Sequence, residues 1–156
     1  MSAQQTASEI TLQPNYSKIL VGYDGSKNST RALARAAALA REHGATLSVL
    51  VVVNTTLFAF APMAPPAPEE FFEDLIKNGQ ETLAQAIKIA GSVIPGVTGA
   101  VKEGNAGECI LNLAASNGID LIVIGRRGIS GMERFLLGGV SSNVVAHSKC
   151  DVLIVK

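Results

Sequence analysis

Leu121-Ile122-Val123-Ile124 is an apolar run that ends abruptly at a glycine, in Gly125-Arg126-Arg127-Gly128, and after nine further residues comes Gly138-Gly139-Val140-Ser141-Ser142. The apolar run predicts a buried strand, and the segment 140–148 predicts a helix. A strand, a glycine-rich loop and a helix N-terminus in this order present backbone N–H groups and a helix dipole to an anion, most often a phosphate. The segment therefore predicts an α/β fold with an anion site after this strand.

Apolar runs that alternate with helical patterns extend this prediction to the whole chain. The predicted strands are 18–23, 46–53, 97–101, 121–124 and 152–155. The first predicted helix ends at 43, the second and third span 69–90 and 108–117, and the fourth begins at 140. Strands that alternate with helices indicate an open parallel sheet with helices on both faces. The nearly unbroken Val and Leu content of 46–53 indicates burial on both faces.

Local signals set the predicted helix boundaries. Asp24-Gly25-Ser26 predicts a turn and an N-cap, and Gly44 predicts the end of the first helix. Asn78-Gly79 predicts a bend or break in the longest helix. The segment 104–107 predicts a turn before the short helix. The predicted buried side of the longest helix consists of Phe72, Leu75, Leu83, Ala86, Ile87 and Ala90.

Composition limits the class of protein. The 156 residues are 47% apolar and 17% charged, with a formal net charge of zero, which is typical of one globular domain. We expect a loose polar tail at 1–15 and a domain at 16–156. A neutral chain gives no electrostatic reason to expect nucleic acid or a membrane surface as partner. Without an apolar run of about 18 residues or a secretory signal, we expect a cytoplasmic protein.

Isolated polar residues are interpreted as structural. Cys109 and Cys150 have no metal-ligand spacing and are expected to be buried, reduced thiols. His43 lies at a predicted helix C-terminus, where a partly charged imidazole suits the dipole. Asp120 precedes a strand and is expected to form a turn or cap, and His147 is expected on the surface.

One long loop has two open interpretations. The segment 54–68 is rich in Ala and Pro and carries Phe58 and Phe60. Loops of this length are uncommon in compact domains and often serve as lids or contact surfaces. An insertion without a role fits equally well.

The predicted anion site differs from two common phosphate loops. No GxxxxGK[ST] motif is present, and no GxGxxG follows the first strand. What remains is Gly125, Gly128 and Gly138, separated by two and then nine residues. Three arginines and one glutamate lie between Gly125 and Gly139, a local excess of positive charge that favours a polyphosphate. Ligands of open parallel sheets bind beyond the carboxyl ends of the strands.

These glycines, with the segments 21–26, 119–125, 140–141 and 150–155, resemble the ATP-binding branch of the universal stress protein family over residues 18–156. The resemblance implies a Rossmann-like five-stranded sheet in the order 3-2-1-4-5, with a nucleotide between strands one and four. It implies ATP as ligand, with AMP and ADP as alternatives and Mg²⁺ as an accompanying ion. It also implies a homodimer through the last strand, 152–156.

The resemblance implies roles for individual residues. Asp24 would lie near the ribose, Val52 would contact adenine through its backbone, and Gly125 and Gly128 would let the backbone approach the ribose and phosphates. N–H groups from 138–141 and the Ser141 hydroxyl would wrap the phosphates. Asp24 also fits a plain turn residue, and Ser141 and Ser142 also fit a helix cap. The full candidate set is Tyr23, Asp24, Val52, Gly125, Arg126, Arg127, Gly128, Gly138, Gly139, Val140, Ser141 and Ser142.

One position departs from the family pattern. ATP-binding relatives resemble one another in having Ser or Thr where this chain has Gly139. Gly139 keeps its N–H but lacks a hydroxyl. Losing one hydrogen bond to a charged phosphate costs about 1.5–3 kcal/mol, or roughly tenfold or more in affinity. The pattern predicts a weakened site, with Ser141 and Ser142 as partial replacements.

Three functions follow as hypotheses. The first is a nucleotide-binding stress-response or regulatory protein that acts by ligand-dependent association and is not an enzyme, apart from slow ATP hydrolysis. The second is an enzyme that cleaves ATP at the α-phosphate, for which 156 residues leave little room. The third is a protein-interaction module that uses Phe58 and Phe60 and binds no nucleotide.

Overall fold

A computed structural model of the chain describes residues 15–56, 63, 65–126 and 139–156. Within them, strands and helices alternate as predicted. The elements are β1 (Lys18–Gly22), α1 (Lys27–His43), β2 (Thr46–Val53), α2 (Glu69–Gly91), β3 (Thr98–Glu103), α3 (Ala106–Asn117), β4 (Leu121–Gly125), α4 (Gly139–His147) and β5 (Asp151–Val155). The predicted tail up to residue 14, Phe58 and Phe60 lie outside the described residues.

The five strands form one sheet in the order β3-β2-β1-β4-β5, and every neighbouring pair is parallel. This confirms the predicted fold class and strand order. In the central pairs, Ile19 lies opposite Leu47 on one side and Leu121 on the other. Because all strands run the same way, their carboxyl ends meet at one edge of the sheet.

Apolar side chains of alternating strand positions pack on opposite faces of the sheet. Ile19 and Val21 belong to a core with α1 and α2, whereas Leu20 belongs to a second core with α3 and α4. The alanines of α1 at positions 32, 36, 37 and 40 are all fully buried, so this helix lies close to the sheet. The sheet is therefore covered by helices on both faces.

Side-chain caps determine where two helices begin. The Ser26 hydroxyl accepts a hydrogen bond from the N–H of Ser29, so α1 begins where the sequence predicts. The Asn105 side chain accepts from the N–H of Glu108 at 3.1 Å, and α3 therefore begins at Ala106. The prediction of a turn over 104–107 and a helix from 108 is wrong by two residues, because Asn105 provides a cap.

The predicted bend at Asn78-Gly79 is wrong, because α2 is continuous from Glu69 to Gly91. Gly79 is buried against the sheet. A Cβ on Gly79 would lie 2.8 Å from Cγ2 of Val53 and 3.2 Å from Cγ1 of Val101. The glycine is thus a site of close helix–sheet packing, and tertiary packing overrides its low helix propensity.

Most of the buried side predicted for α2 is only partly buried. Ala86 and Ala90 are buried as predicted, together with Gly79. The remaining predicted residues are half-buried: Phe72, Leu75, Leu83 and Ile87. Contacts of α2 are mainly with β2 and β3, at the border of the sheet, where less of a helix is covered.

Polar contacts join the chain segment before β1 to the carboxyl end of α1 and to residues at the start of β4 and β5. The Asp120 carboxylate accepts from the N–H groups of Ser17 and Lys18 at 2.8 and 3.0 Å, in agreement with a structural role. The Tyr16 N–H donates to Nδ1 of His43 at 3.2 Å, and the Tyr16 hydroxyl donates to Asp151 at 2.9 Å. The hydrogen bond to Asp151 and burial raise the pKa of Tyr16 above its ordinary value.

Both cysteines are free thiols, and they are half-buried where the sequence predicted full burial. Cys109 Sγ donates to the carbonyl oxygen of Glu103 at 3.6 Å. Burial and the nearby Glu108 raise the pKa of this thiol, so it stays protonated and weakly nucleophilic at neutral pH.

Candidate functional site

The strand order changes direction between β1 and β4, which lie side by side at the centre of the sheet. Chain connections from β1 and β4 leave toward opposite sides there, and this opens a crevice at their carboxyl ends. Asp24 follows β1 and Arg126 follows β4, so the structure brings these predicted site residues to one edge. Val52 lies at the same edge, near the end of β2.

Hydrogen bonds hold Asp24 in a defined turn. Its Oδ1 accepts from the N–H of Ser26 at 2.9 Å, and its own N–H donates to the Ser29 hydroxyl at 3.3 Å. The side chain is exposed, and among the described residues nothing donates to its second oxygen, Oδ2. Asp24 is therefore a preorganised carboxylate with one oxygen available to a hydroxyl donor.

Gly125 ends β4 in direct contact with the first turn of α1. A Cβ at this position would lie 2.8 Å from the carbonyl carbon of Asn28 and 2.9 Å from its oxygen. Those atoms are backbone and have little freedom to move. Only glycine therefore fits where β4 passes α1.

The Tyr23 ring does not face the crevice, although the sequence places this residue among the ligand contacts. The side chain is 4% exposed and belongs to the core beneath α1 and α2. Its N–H donates to the carbonyl oxygen of Leu50 at 2.9 Å. The phenol is thus a core residue, and only the backbone carbonyl of Tyr23 remains for a ligand.

Val52 is half-buried and packs against the core of α3 and α4. Its backbone pairs with Lys102 of β3. The predicted contact between this backbone and adenine stays a prediction.

The first turn of α4 carries exposed backbone toward the predicted phosphate site. Gly139 and Ser142 are exposed, and Val140 is 42% exposed despite its apolar side chain. The first N–H groups of a helix have no partner within the helix, and they lie at the positive end of its dipole. A helix N-terminus of this kind suits an anion, and the predicted phosphate contact of 139–142 stays a prediction.

Ser141 differs from its neighbours because it is only 3% exposed. Its hydroxyl donates to the carbonyl oxygens of Gly125 at 2.8 Å and Arg126 at 3.2 Å. The sequence assigned this hydroxyl to a phosphate. In the structure its proton is engaged by backbone, and donation to a phosphate would require it to leave these partners.

The loop between β4 and α4 is described only at its ends. The N–H of Arg126 donates to the carbonyl oxygen of Val155 at 2.8 Å, and its side chain is half-buried. The remaining candidates in this loop, Arg127, Gly128 and Gly138, lie outside the described residues, and their predicted roles stay predictions.

Three residues that position the site were missed at the sequence level: Ser26 as an Asp24 partner, Ser29 and Asn28. Ser29 is 5% exposed, and its hydroxyl links the Asp24 N–H to the Ser26 carbonyl. A usable signal existed, since a serine within the apolar face of α1 is expected to hydrogen-bond locally. The contact of Asn28 with Gly125 leaves no such signal.

A second concave region lies at the opposite edge of the sheet. It measures about 430 Å³ and is lined by Lys18, Thr46, Ser48, Ser116, Asn117 and Ile119. The Lys18 ammonium there already donates to the carbonyl oxygen of Asn117 at 3.2 Å. We call this region the amino-end groove; it contains none of the candidate site residues.

The topology defines a doubly wound α/β protein in which the strand order changes direction between β1 and β4. The family model described as the universal stress protein family matches residues 15–156. The chain belongs to the universal stress protein family. No helix among the described residues is long and apolar enough to cross a membrane.

Individual relatives agree with this assignment. A universal stress protein of Thermus aquaticus is 34% identical over 145 residues, covering 90% of this chain and 99% of the relative. The solved structure of hypothetical protein MJ0577 is 26% identical, with a TM-score of 0.77 over 90% of this chain and 96% of that one. A universal stress protein solved in complex with cAMP is 28% identical, with a TM-score of 0.69 over 90% of this chain and 97% of that one.

Proposed function

We propose that this protein binds an adenine nucleotide, with ATP as the main ligand, in the crevice between β1 and β4. We propose also that it acts as a cytoplasmic stress-response regulator. The observation that carries the proposal is the arrangement of Asp24, Gly125 and the first turn of α4 around this crevice. A universal stress protein similar to this chain was solved in complex with cAMP, and this supports an adenine nucleotide as the ligand class.

The two sides of the crevice suit the two ends of a nucleotide. On the β1 side, Oδ2 of Asp24 is available to accept from a ribose hydroxyl, since Oδ1 is engaged by Ser26. On the β4 side, the strand ends at Gly125, which has no side chain because α1 packs too closely for one. The N–H groups of 139–142 then hold phosphate oxygens at the α4 N-terminus.

Positive charge adds to this preference. Arg126 and Arg127 follow directly after β4, in a chain whose formal net charge is zero. Guanidinium groups form strong, charge-assisted hydrogen bonds with phosphates. Mg²⁺ would accompany ATP as a counter-ion held by the phosphates.

Binding rather than turnover is the proposed activity. Among the described residues near the crevice, Asp24, Ser29 and Ser141 hydrogen-bond to backbone groups, and these three side chains form no nucleophile–base pair with one another. Nucleotide occupancy would therefore act by changing association. Slow hydrolysis remains an outcome that a turnover assay would detect.

The proposed association is a homodimer through β5. This strand pairs with β4 on one side only, and its residues from Val152 to Val155 are half-buried. Val145 of α4, which contacts β5, is 48% exposed. An apolar strand at a sheet edge favours pairing with a second copy.

Titration calorimetry with ATP, ADP, AMP and cAMP, each with and without Mg²⁺, tests the proposal. The matched variant is Asp24→Asn, which retains Oδ1 for the Ser26 N–H and changes only the charge and the second oxygen. We expect wild type to bind and Asp24→Asn to lose about tenfold in affinity, the loss of one hydrogen bond to a charged group. Absence of binding by wild type at millimolar ATP would contradict the proposal.

A further inference from the structure

Two backbone segments at the base of the β4–α4 loop are joined by one side chain. Ser141, in the first turn of α4, donates to the carbonyl oxygens of Gly125 at 2.8 Å and Arg126 at 3.2 Å. With 3% of its surface exposed, its hydroxyl is shielded from water. The Ser141 hydroxyl therefore joins α4 to the end of β4.

Arg126, whose carbonyl oxygen accepts from Ser141, is also hydrogen-bonded to β5. The N–H of Arg126 donates to the carbonyl oxygen of Val155 in β5 at 2.8 Å. Gly125 in turn packs on Asn28 of α1. The start of the loop is therefore fixed by α1, α4 and β5 together, and Ser141 provides a side-chain link to α4.

A serine hydroxyl carries a single proton. Because Ser141 gives this proton to backbone carbonyls, it acts on a nucleotide through position and does not donate to it. We propose that Ser141 is a positioning residue: it anchors the first turn of α4 to the end of β4 and so sets where the N–H groups of 139–142 stand relative to Gly125. This inference rests on the proposed function.

Selectivity within the nucleotide follows from that geometry. The N–H groups of α4 face the phosphates, whereas the ribose contact belongs to Asp24 on the β1 side. Loss of the anchor should therefore weaken binding of ATP and leave binding of adenosine nearly unchanged. If the hydroxyl had a purely structural role, its removal would lower stability without changing the ratio of the two affinities.

The test compares Ser141→Ala with the conservative variant Ser141→Thr. The control is Ser116→Ala, in which another helical serine loses a hydroxyl that donates to the carbonyl oxygen of Asn112. Two quantities are measured: the ratio of the dissociation constants for ATP and adenosine, and hydrogen exchange of the Arg126 amide in the ligand-free protein. The Val21 amide of β1 reports any global loss of stability.

We expect Ser141→Ala to weaken ATP binding about fivefold to tenfold and to change adenosine binding by less than about twofold. We expect its Arg126 amide to exchange about fivefold to tenfold faster than in wild type, relative to Val21. Ser141→Thr should restore both quantities, and Ser116→Ala should change neither.

Other results would overturn the inference in distinct ways. Weakened ATP binding with unchanged Arg126 exchange would mean direct donation to phosphate. Faster exchange with an unchanged affinity ratio would mean a structural role only. Absence of nucleotide binding by wild type would overturn the proposed function and the positioning role with it, whereas Arg126 exchange would still show whether Ser141 anchors the loop.

Discussion

The backbone of Asn28, in the first turn of α1, lies so close to Gly125 that a Cβ there would stand 2.8 Å from the Asn28 carbonyl carbon. This contact brings the end of β4 against the helix that begins after Asp24. The turn that holds Asp24 and the start of the β4–α4 loop therefore lie on neighbouring sides of the crevice. The contact makes glycine necessary here for packing, independently of any ligand.

Gly125→Ala should damage both the fold and the site. The added methyl meets backbone atoms of Asn28, and we expect a loss of about 1–3 kcal/mol in the free energy of unfolding. Displacement of β4 from α1 should also weaken ATP binding by about tenfold or more. Denaturant unfolding and calorimetry measure the two effects.

Gly91→Ala is the control for this substitution, because no atom of the described residues lies within 4 Å of a Cβ placed at Gly91. It should leave ATP affinity unchanged and should not lower stability, since alanine is the better helix former. Equal behaviour of the two variants would show that the Gly125 contact is not restrictive.

Gly139→Ser should strengthen ATP binding. Gly139 is exposed, and no described residue lies within 4 Å of a Cβ placed there, so a serine fits against the described part of the chain. Its hydroxyl could donate to a phosphate, and we expect affinity to rise about tenfold. Gly139→Ala, which adds the Cβ without the hydroxyl, is the matched control in the same titration. If serine and alanine gave the same affinity, the missing hydroxyl would not limit binding.

Gly79→Ala should destabilise the protein, in contrast to the usual effect of replacing a helical glycine. The new methyl would lie 2.8 Å from Cγ2 of Val53. We expect a loss of about 1–3 kcal/mol in the free energy of unfolding, against the gain of about 1 kcal/mol that helix propensity alone predicts. Chemical denaturation measures the sign, and increased stability would mean that the sheet yields to the methyl.

Tyr16→Phe should lower stability in a pH-dependent manner. The Tyr16 hydroxyl donates to Asp151, and its pKa is raised above the ordinary value of 10.0, so the folded state holds the proton more tightly than the unfolded state. The contribution is present below pH 10.0 and is lost as pH rises through the raised pKa. Unfolding of both proteins should differ at neutral pH and converge in alkali. A difference that stays constant across this range would contradict the assignment.

Much of the fold could be predicted from local patterns, because apolar runs and caps act over a few residues. The end of α1 at His43 and both ends of β2 agree with the sequence prediction. Gly79 could not be interpreted correctly, since propensity describes an isolated helix and the close approach of Val53 comes from β2. The early start of α3 was available in the sequence through Asn105, a strong N-cap residue.

The site could be predicted less completely than the fold. Asp24 and the start of α4 were identifiable because polar or glycine residues follow buried strands. The partners of Ser141 were not, because its hydroxyl reaches a carbonyl 16 residues earlier in the chain, a distance at which sequence spacing carries no geometry. Tyr23 shows the opposite error: its backbone lies at the crevice edge, but its ring turns into the core.

The central claim is that an adenine nucleotide occupies the crevice between β1 and β4. Amide chemical-shift mapping of the ¹⁵N-labelled protein during an ATP titration tests it most directly. We predict saturable shifts at Asp24, Arg126 and Val140, with unchanged signals in the amino-end groove at Thr46 and Ser116. Absence of shifts at millimolar ATP, or shifts confined to the amino-end groove, would contradict the account.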